Sequence, residues 1–147
     1  MSGSDYLLEN RKTQAAQRFA ALSALFDPAT LRQFDACGMA HGWRCWEVGA
    51  GGPTLVRKIA ERVGAAGYVL ATDIDVSWTQ EAASRNVDVR SHDVARDAPP
   101  GDSFDLVHAR LVLVHVPDRD QALRRMVSAL RPGGWLLVED FDVALQP

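Results

Sequence analysis

The sequence has little cysteine, no long apolar run and no excess of positive charge, and each shortage removes a class of protein. Its two cysteines, Cys37 and Cys45, show no CxxC or Cys/His spacing. A metal site and a disulfide-stapled scaffold are therefore set aside, and two reduced, half-buried thiols are expected. No stretch approaches the roughly 18 consecutive apolar residues that a membrane helix needs. The opening segment, Met1 to Lys12, is too polar for a secretory signal. A soluble, cytoplasmic protein without a membrane partner is the expectation. Lys and Arg number 16 against 19 Asp and Glu, a net charge of −3. No general positive field is available to hold a polyanion, which argues against a nucleic-acid partner.

What is present looks globular. Apolar residues make up 47% and charged residues 24% of 147 positions, close to the average for a compact domain. From Lys12 to Phe26, the residues Ala15, Phe19, Leu22, Leu25 and Phe26 recur at helical steps. Asp27-Pro28 is expected to end that helix and open a second, carrying Leu31 and Phe34, which Gly38 stops. Short apolar runs suited to buried parallel strands follow at Arg44 to Val48, Tyr68 to Thr72, Val87 to Ser91, Asp105 to His108 and Trp135 to Asp140. Helices are expected at Thr54 to Val63, Ser77 to Arg85 and Arg119 to Leu130. Residues 96–103 read as a loop, because their prolines and glycine oppose a helix. Strands alternating with helices predict a Rossmann-like, doubly wound α/β fold with a mainly parallel sheet of about five strands and N-terminal helices.

Ligands of such sheets sit beyond the carboxyl ends of the strands, so the residues there are the candidates for chemistry. The first strand ends in Glu47-Val48-Gly49-Ala50-Gly51-Gly52-Pro53, a glycine turn leading into a helix. A dinucleotide fingerprint needs a third glycine where Thr54 stands, so that motif fails. A carboxylate at Glu47 disfavours a pyrophosphate and tolerates a cation. After the second strand, Asp73 is placed to accept from ribose hydroxyls. After the third, Asp93 can accept from an exocyclic amine. Together they describe a site for adenosine with a positively charged tail.

Glu47-Val48-Gly49-Ala50-Gly51, Ala71-Thr72-Asp73-Ile74-Asp75, His92-Asp93-Val94, Phe104 to Arg110 and Arg131-Pro132-Gly133-Gly134-Trp135 through Asp140 resemble, in order and spacing, the class I S-adenosylmethionine-dependent methyltransferases. The resemblance implies S-adenosyl-L-methionine as cofactor. Gly49 to Gly51 would pass under its methionine part, Asp73 hold the ribose, Ile74 pack on adenine, and Asp93, with Val94 beside it, accept from the adenine amine. Ala109 and Arg110 would lie near the reacting methyl. The N-terminal residues 1–40 look like a helical lid over a core of residues 41–147, one compact domain overall, which brings Tyr6 and Arg18 into consideration. The loop holding His115 is where similar enzymes approach the acceptor, so His115, and after it His108, are the candidate bases. Pro53 replaces the last glycine of the usual turn. The chain also stops after the fifth strand, where members of the family continue with a helix and an antiparallel hairpin.

The resemblance implies an enzyme that transfers a methyl group in line to a small-molecule acceptor, with no metal. Two alternatives compete. One is a truncated or catalytically silent cofactor-binding module that forms a homodimer through the open edge of the fifth strand. The other is an NAD(P)-dependent oxidoreductase. Asp75 reads as a helix cap, the four tryptophans as core and cover, Arg124-Arg125 as a solvated helix face, and Glu139 and Asp140 as partners of neighbouring loops.

Overall fold

The structure is a computed structural model that describes residues 3–142 and residue 144; the side chain of Tyr6 lies outside the described set. The chain divides into two compact units, Met1–Gly38 and Met39–Pro147.

The first unit is a single helix, α1 (Gly3–Cys37), with Pro28 inside it. The expected pair of helices is thus corrected to one. Proline removes one N–H from the ladder, but Phe26, Thr30 and Phe34 continue the same four-residue steps across it, so one helix keeps the stripe in phase. Leu25, expected on that stripe, is 69% exposed. Gly38 stops the helix in a left-handed conformation, φ 86°, and its N–H donates to the Asp35 carbonyl at 3.0 Å. The guanidinium of Arg18 lies 5.6 Å from the centre of the Phe19 ring.

The second unit is built on β1 (Arg44–Val48), α2 (Thr54–Val63), β2 (Tyr68–Asp73), β3 (Val87–Ser91), β4 (Phe104–Arg110), α3 (Arg119–Ser128) and β5 (Leu130–Glu139). The strands form one parallel sheet in the order β3-β2-β1-β4-β5. The expected five-stranded Rossmann-like sheet is present. Its order reverses beside β1, which places the ligand crevice between the ends of β1 and β4. Strands β1, β2 and β4 are buried over most of their length, which is why their sequences run apolar without alternation.

On one face, Trp46, Val48, Leu70, Phe104, Val107 and Ala109 pack with Ala122, Met126 and Ala129 from α3 and the turn after it. Val127, on the outer side of α3, is 54% exposed. On α2, Leu55, Val56, Ile59 and Val63 are buried as the helical period requires. Pro53 stands at the N-cap of α2, where its missing N–H is no loss.

Two elements differ from expectation. The helix expected at Ser77 to Arg85 is only a 3-10 turn at Thr79–Ala82. Local side-chain bonds compete with the helix there: the Asp75 carboxylate accepts from the Ser77 N–H at 3.0 Å, and the buried Thr79 hydroxyl donates to the Gly51 carbonyl at 2.8 Å. Asp75 therefore forms a turn and caps no α-helix. Strand β5 starts at Leu130, earlier than expected, because Leu130 pairs with Phe104 ahead of an irregularity in register that precedes the Leu106–Trp135 pair.

The Trp46 indole, fully buried, donates to the Thr72 hydroxyl at 2.9 Å. Thr72→Val leaves that N–H without a partner and is expected to lower stability by about 1–3 kcal/mol, readable as a shift of the urea midpoint without a change in slope.

Candidate functional site

A cavity of ≈ 240 Å³ opens at the carboxyl ends of the strands, lined by Val48, Gly49, Asp73, Ile74, His92, Asp93, Val94, Leu111, Val112, His115 and Val116. Of the residues singled out in the sequence, Gly49, Asp73, Ile74, Asp93, Val94 and His115 meet here. Glu47, Ala50, Gly51, His108, Ala109 and Arg110 do not line it.

The turn after β1 depends on backbone freedom. Gly49 and Gly51 have φ of 63° and 65°, a region that side chains disfavour. A Cβ on Gly49 would overlap the side chain of Val112, so the turn after β1 and the loop after β4 approach each other closely only because Gly49 has none. Asp73 fastens the turn: one carboxylate oxygen accepts from the Gly51 N–H at 2.9 Å and the other from the Asp75 N–H at 3.2 Å. Thr79 adds its bond to the Gly51 carbonyl, and the Ala50 N–H donates to the Thr72 carbonyl at 2.9 Å.

Asp93 opens a tight turn in which its Oδ1 accepts from the Ala95 N–H at 2.8 Å, while its own N–H donates to Asp97 at 2.8 Å. Arg125 supports this turn from α3, donating to the carbonyls of Ala95 at 2.5 Å and Val94 at 3.4 Å. The solvated reading of Arg125 is thus corrected: it is half-buried beneath the loop that carries Asp93 and Val94. His92 is 9% exposed; its Nε2 bonds the Ala98 carbonyl at 2.8 Å, and its Nδ1 is buried with no hydrogen-bond partner among the described residues.

The wall after β4 is strained. Leu111 has φ 58°, the sole non-glycine with positive φ among the described residues, a conformation that costs about 1–2 kcal/mol. Its N–H donates to the Glu139 carbonyl at 2.8 Å. The next turn, Leu113–His115, exposes His115 at the cavity. Burial raises the Asp140 carboxyl, and hydrogen bonds from the Val114 and Leu113 backbone, with the charges of His115 and Arg119, partly offset it. Asp140 thus organises the turn that presents His115. Partnership with a neighbouring loop was legible for Asp140; the turn it holds was not.

Glu47 and His108 lie beneath the cavity. His108 is fully buried: Nδ1 meets Glu47 at 2.5 Å and Nε2 meets Glu139 at 2.6 Å. An ionised carboxylate only accepts, so with Glu47 and Glu139 ionised both ring nitrogens donate and the ring is an imidazolium. Burial alone would lower its pKa, but the charge of Glu47, with hydrogen bonds to Glu139 and Glu47, overcomes that and lifts it from 6.5 to about 9. With no exposed surface and both nitrogens engaged, His108 has no free site from which to take a proton from an acceptor. Ala109 packs in the core, and Arg110 stands opposite Glu139 in register.

Against known proteins, the sequence pattern of the family described as "Methyltransferase domain" matches residues 46–136. The chain belongs to that family. Among curated relatives, the chain is 35% identical over 121 residues to the ubiquinone/menaquinone biosynthesis C-methyltransferase UbiE of Hahella chejuensis, covering 77% of this chain and 49% of that protein. The chain thus spans about half the length of the relatives it matches. A SAM-dependent methyltransferase from Aquifex aeolicus superposes with a TM-score of 0.71 at 20% identity, covering 82% of this chain and 67% of that one. One from Mesorhizobium loti does so with a TM-score of 0.59 at 28% identity, covering 68% and 47%. The fold is that of the class I, Rossmann-like methyltransferases, whose cofactor is S-adenosyl-L-methionine.

The residues at the cavity fit the nucleoside end of that cofactor. The cavity lies near the lower bound of roughly 300 Å³ for ligand pockets, and its apolar wall of Ile74, Val94, Leu111 and Val112 suits a base. Asp73, at the end of β2, lines the same cavity with a carboxylate that could accept from hydroxyls. His92, between β3 and Asp93, also lines the cavity, and sequence reading assigned it no role.

The raised pKa of His108 links folding to pH. Its stabilisation is fully present below pH 6.5, its ordinary value, and is lost as pH rises through about 9. Thermal denaturation across that range is expected to show a decline worth up to about 3 kcal/mol, absent in His108→Gln.

Proposed function

We propose that this chain binds S-adenosyl-L-methionine at the cavity beyond β1, β2 and β3 and transfers its methyl group in line to a small-molecule acceptor. The observation that supports the reading most is the convergence of Gly49, Asp73, His92 and Asp93 on one cavity. Gly49 seats Val112 against the turn as a wall of the cavity, Asp73 accepts from ribose hydroxyls, and Asp93 answers the adenine amine. The cofactor supplies a methyl on a sulfonium, an excellent leaving group. With it bound, the acceptor atom would bond to the methyl carbon as the carbon–sulfur bond broke and the electron pair left with sulfur, and His115 or water would take the acceptor's proton. Positioning and exclusion of water then account for most of the rate, and a base contributes less.

His115 is the residue on this cavity suited to be that base, being exposed at its wall next to the charge of Asp140. The relative's name, a C-methyltransferase of ubiquinone/menaquinone biosynthesis, makes a quinol ring carbon the first acceptor to test. The nicotinamide alternative is set aside by the family to which the chain belongs.

One observation favours association of two copies alongside this activity. Strand β5 is at the sheet edge, with Trp135 48% and Val138 36% exposed. Edge pairing with a second copy would cover them. Sedimentation should then show a dimer that Val138→Lys dissociates; a monomer unaffected by the change argues against the pairing.

In a thermal-shift panel, S-adenosylmethionine and S-adenosylhomocysteine should raise the melting temperature while NAD and NADP do not. Asp73→Ala should weaken S-adenosylhomocysteine by roughly tenfold or more, the worth of a hydrogen bond to a charged group. Equal affinity in the variant would remove Asp73 from the ribose.

A further inference from the structure

The buried Glu47–His108–Glu139 chain does no chemistry in the reading above, yet it joins the parts on which the cavity depends. Glu47 is the next-to-last residue of β1, His108 lies two before the end of β4, and Glu139 closes β5. Glu47 and His108 are register partners across β1 and β4. Glu139 stands opposite Arg110, two residues along β4 on the same face as His108. The imidazolium therefore ties three strands together at their carboxyl ends.

The ties run on to the cavity wall. Glu139, whose side chain meets His108, also accepts through its backbone carbonyl from the N–H of Leu111, the strained residue of the wall. Glu47 lies two residues before Gly49, against which Val112 is seated. Loosening the chain would free β1 and β4 to shift at the point where Gly49 and Val112 meet.

We infer that Glu47, His108 and Glu139 are positioning residues that clamp the turn after β1 against the loop after β4, and that cofactor affinity depends on the proton shared within this chain. The inference rests on the cofactor reading given above. With the proton in place, one cation lies between two carboxylates; without it, the buried Glu47 and the partly buried Glu139 face a neutral ring and the clamp weakens. Other charged groups on these strands are placed differently. At the amino ends, Arg131 engages Asp105 and the Arg44 guanidinium lies over the Tyr68 ring, while Arg110 stands opposite Glu139. Burial, and then the charges of Asp105 and Glu47, push the Cys45 thiol up, out of the range in question.

The test is calorimetric titration of the whole chain with S-adenosylhomocysteine between about pH 7 and about pH 10. The unaltered protein should lose affinity by about tenfold or more over this range. The ligand's own ammonium titrates there too, so the comparison among variants decides. Glu139→Gln keeps an acceptor for Nε2 but removes one charge, and should bind at neutral pH with its midpoint lower by about one unit. His108→Gln should bind more weakly at neutral pH and follow only the ligand's own titration. A purely structural role would lower the stability of each variant and leave the midpoint where it was; coincident midpoints overturn the inference. Imidazole nitrogen spectra of the unaltered protein need no variant to fold: two protonated nitrogens on His108 at neutral pH are expected, and a neutral ring overturns the inference. Failure of S-adenosylhomocysteine to bind the unaltered chain at neutral pH overturns the cofactor reading, and this inference with it.

Discussion

Strand β1 pairs with β2 on one side and with β4 on the other, and this central position governs the rest of the second unit. A parallel strand flanked on both edges satisfies its backbone within the sheet, so its five residues can be almost wholly buried. Its end then lies where the sheet order reverses, and the glycine turn that follows projects into the crevice. The bonds from Gly51 to Asp73, from Thr79 to Gly51 and from Ala50 to Thr72 fix that turn relative to β2.

The same packing creates an electrostatic problem. Two carboxylates brought to the sheet interior would each lose hydration at a cost of several kcal/mol. The imidazolium of His108 offsets this because it donates to both at short distance from a fully buried position. Burial alone would favour a neutral ring. The balance falls the other way because two anions act at once, and each supplies an acceptor for one ring nitrogen.

Much of this was legible without coordinates. The runs Arg44 to Val48 and Val87 to Ser91 and the helix Thr54 to Val63 appear with the bounds read from their residues; the first and the last lie between glycines, which mark their ends. Gly49, Asp73, Ile74, Asp93, Val94 and His115 were legible as a site because strand ends in this fold face one crevice. Ser77 to Arg85 was misread, as Asp75 and Thr79 hold the backbone out of a helix. Pro28 was misread as a boundary, because the helical stripe on either side of it stays in phase. Arg125 read as solvated because nothing on its own helix reveals the carbonyls of Val94 and Ala95 above it.

The sequence by itself determined the alternation of strands and helices, and the residue types at each strand end, because both are encoded in local periodicity and in glycine's freedom at sharp turns. Register was decided only by the tertiary structure. Glu47, His108 and Glu139 are separated by 61 and 31 positions along the chain, and no local pattern reports that three strands bring them to one face. Their meeting depends on which strands are neighbours and on how far each has slid along the next, quantities set by the packing of the whole sheet.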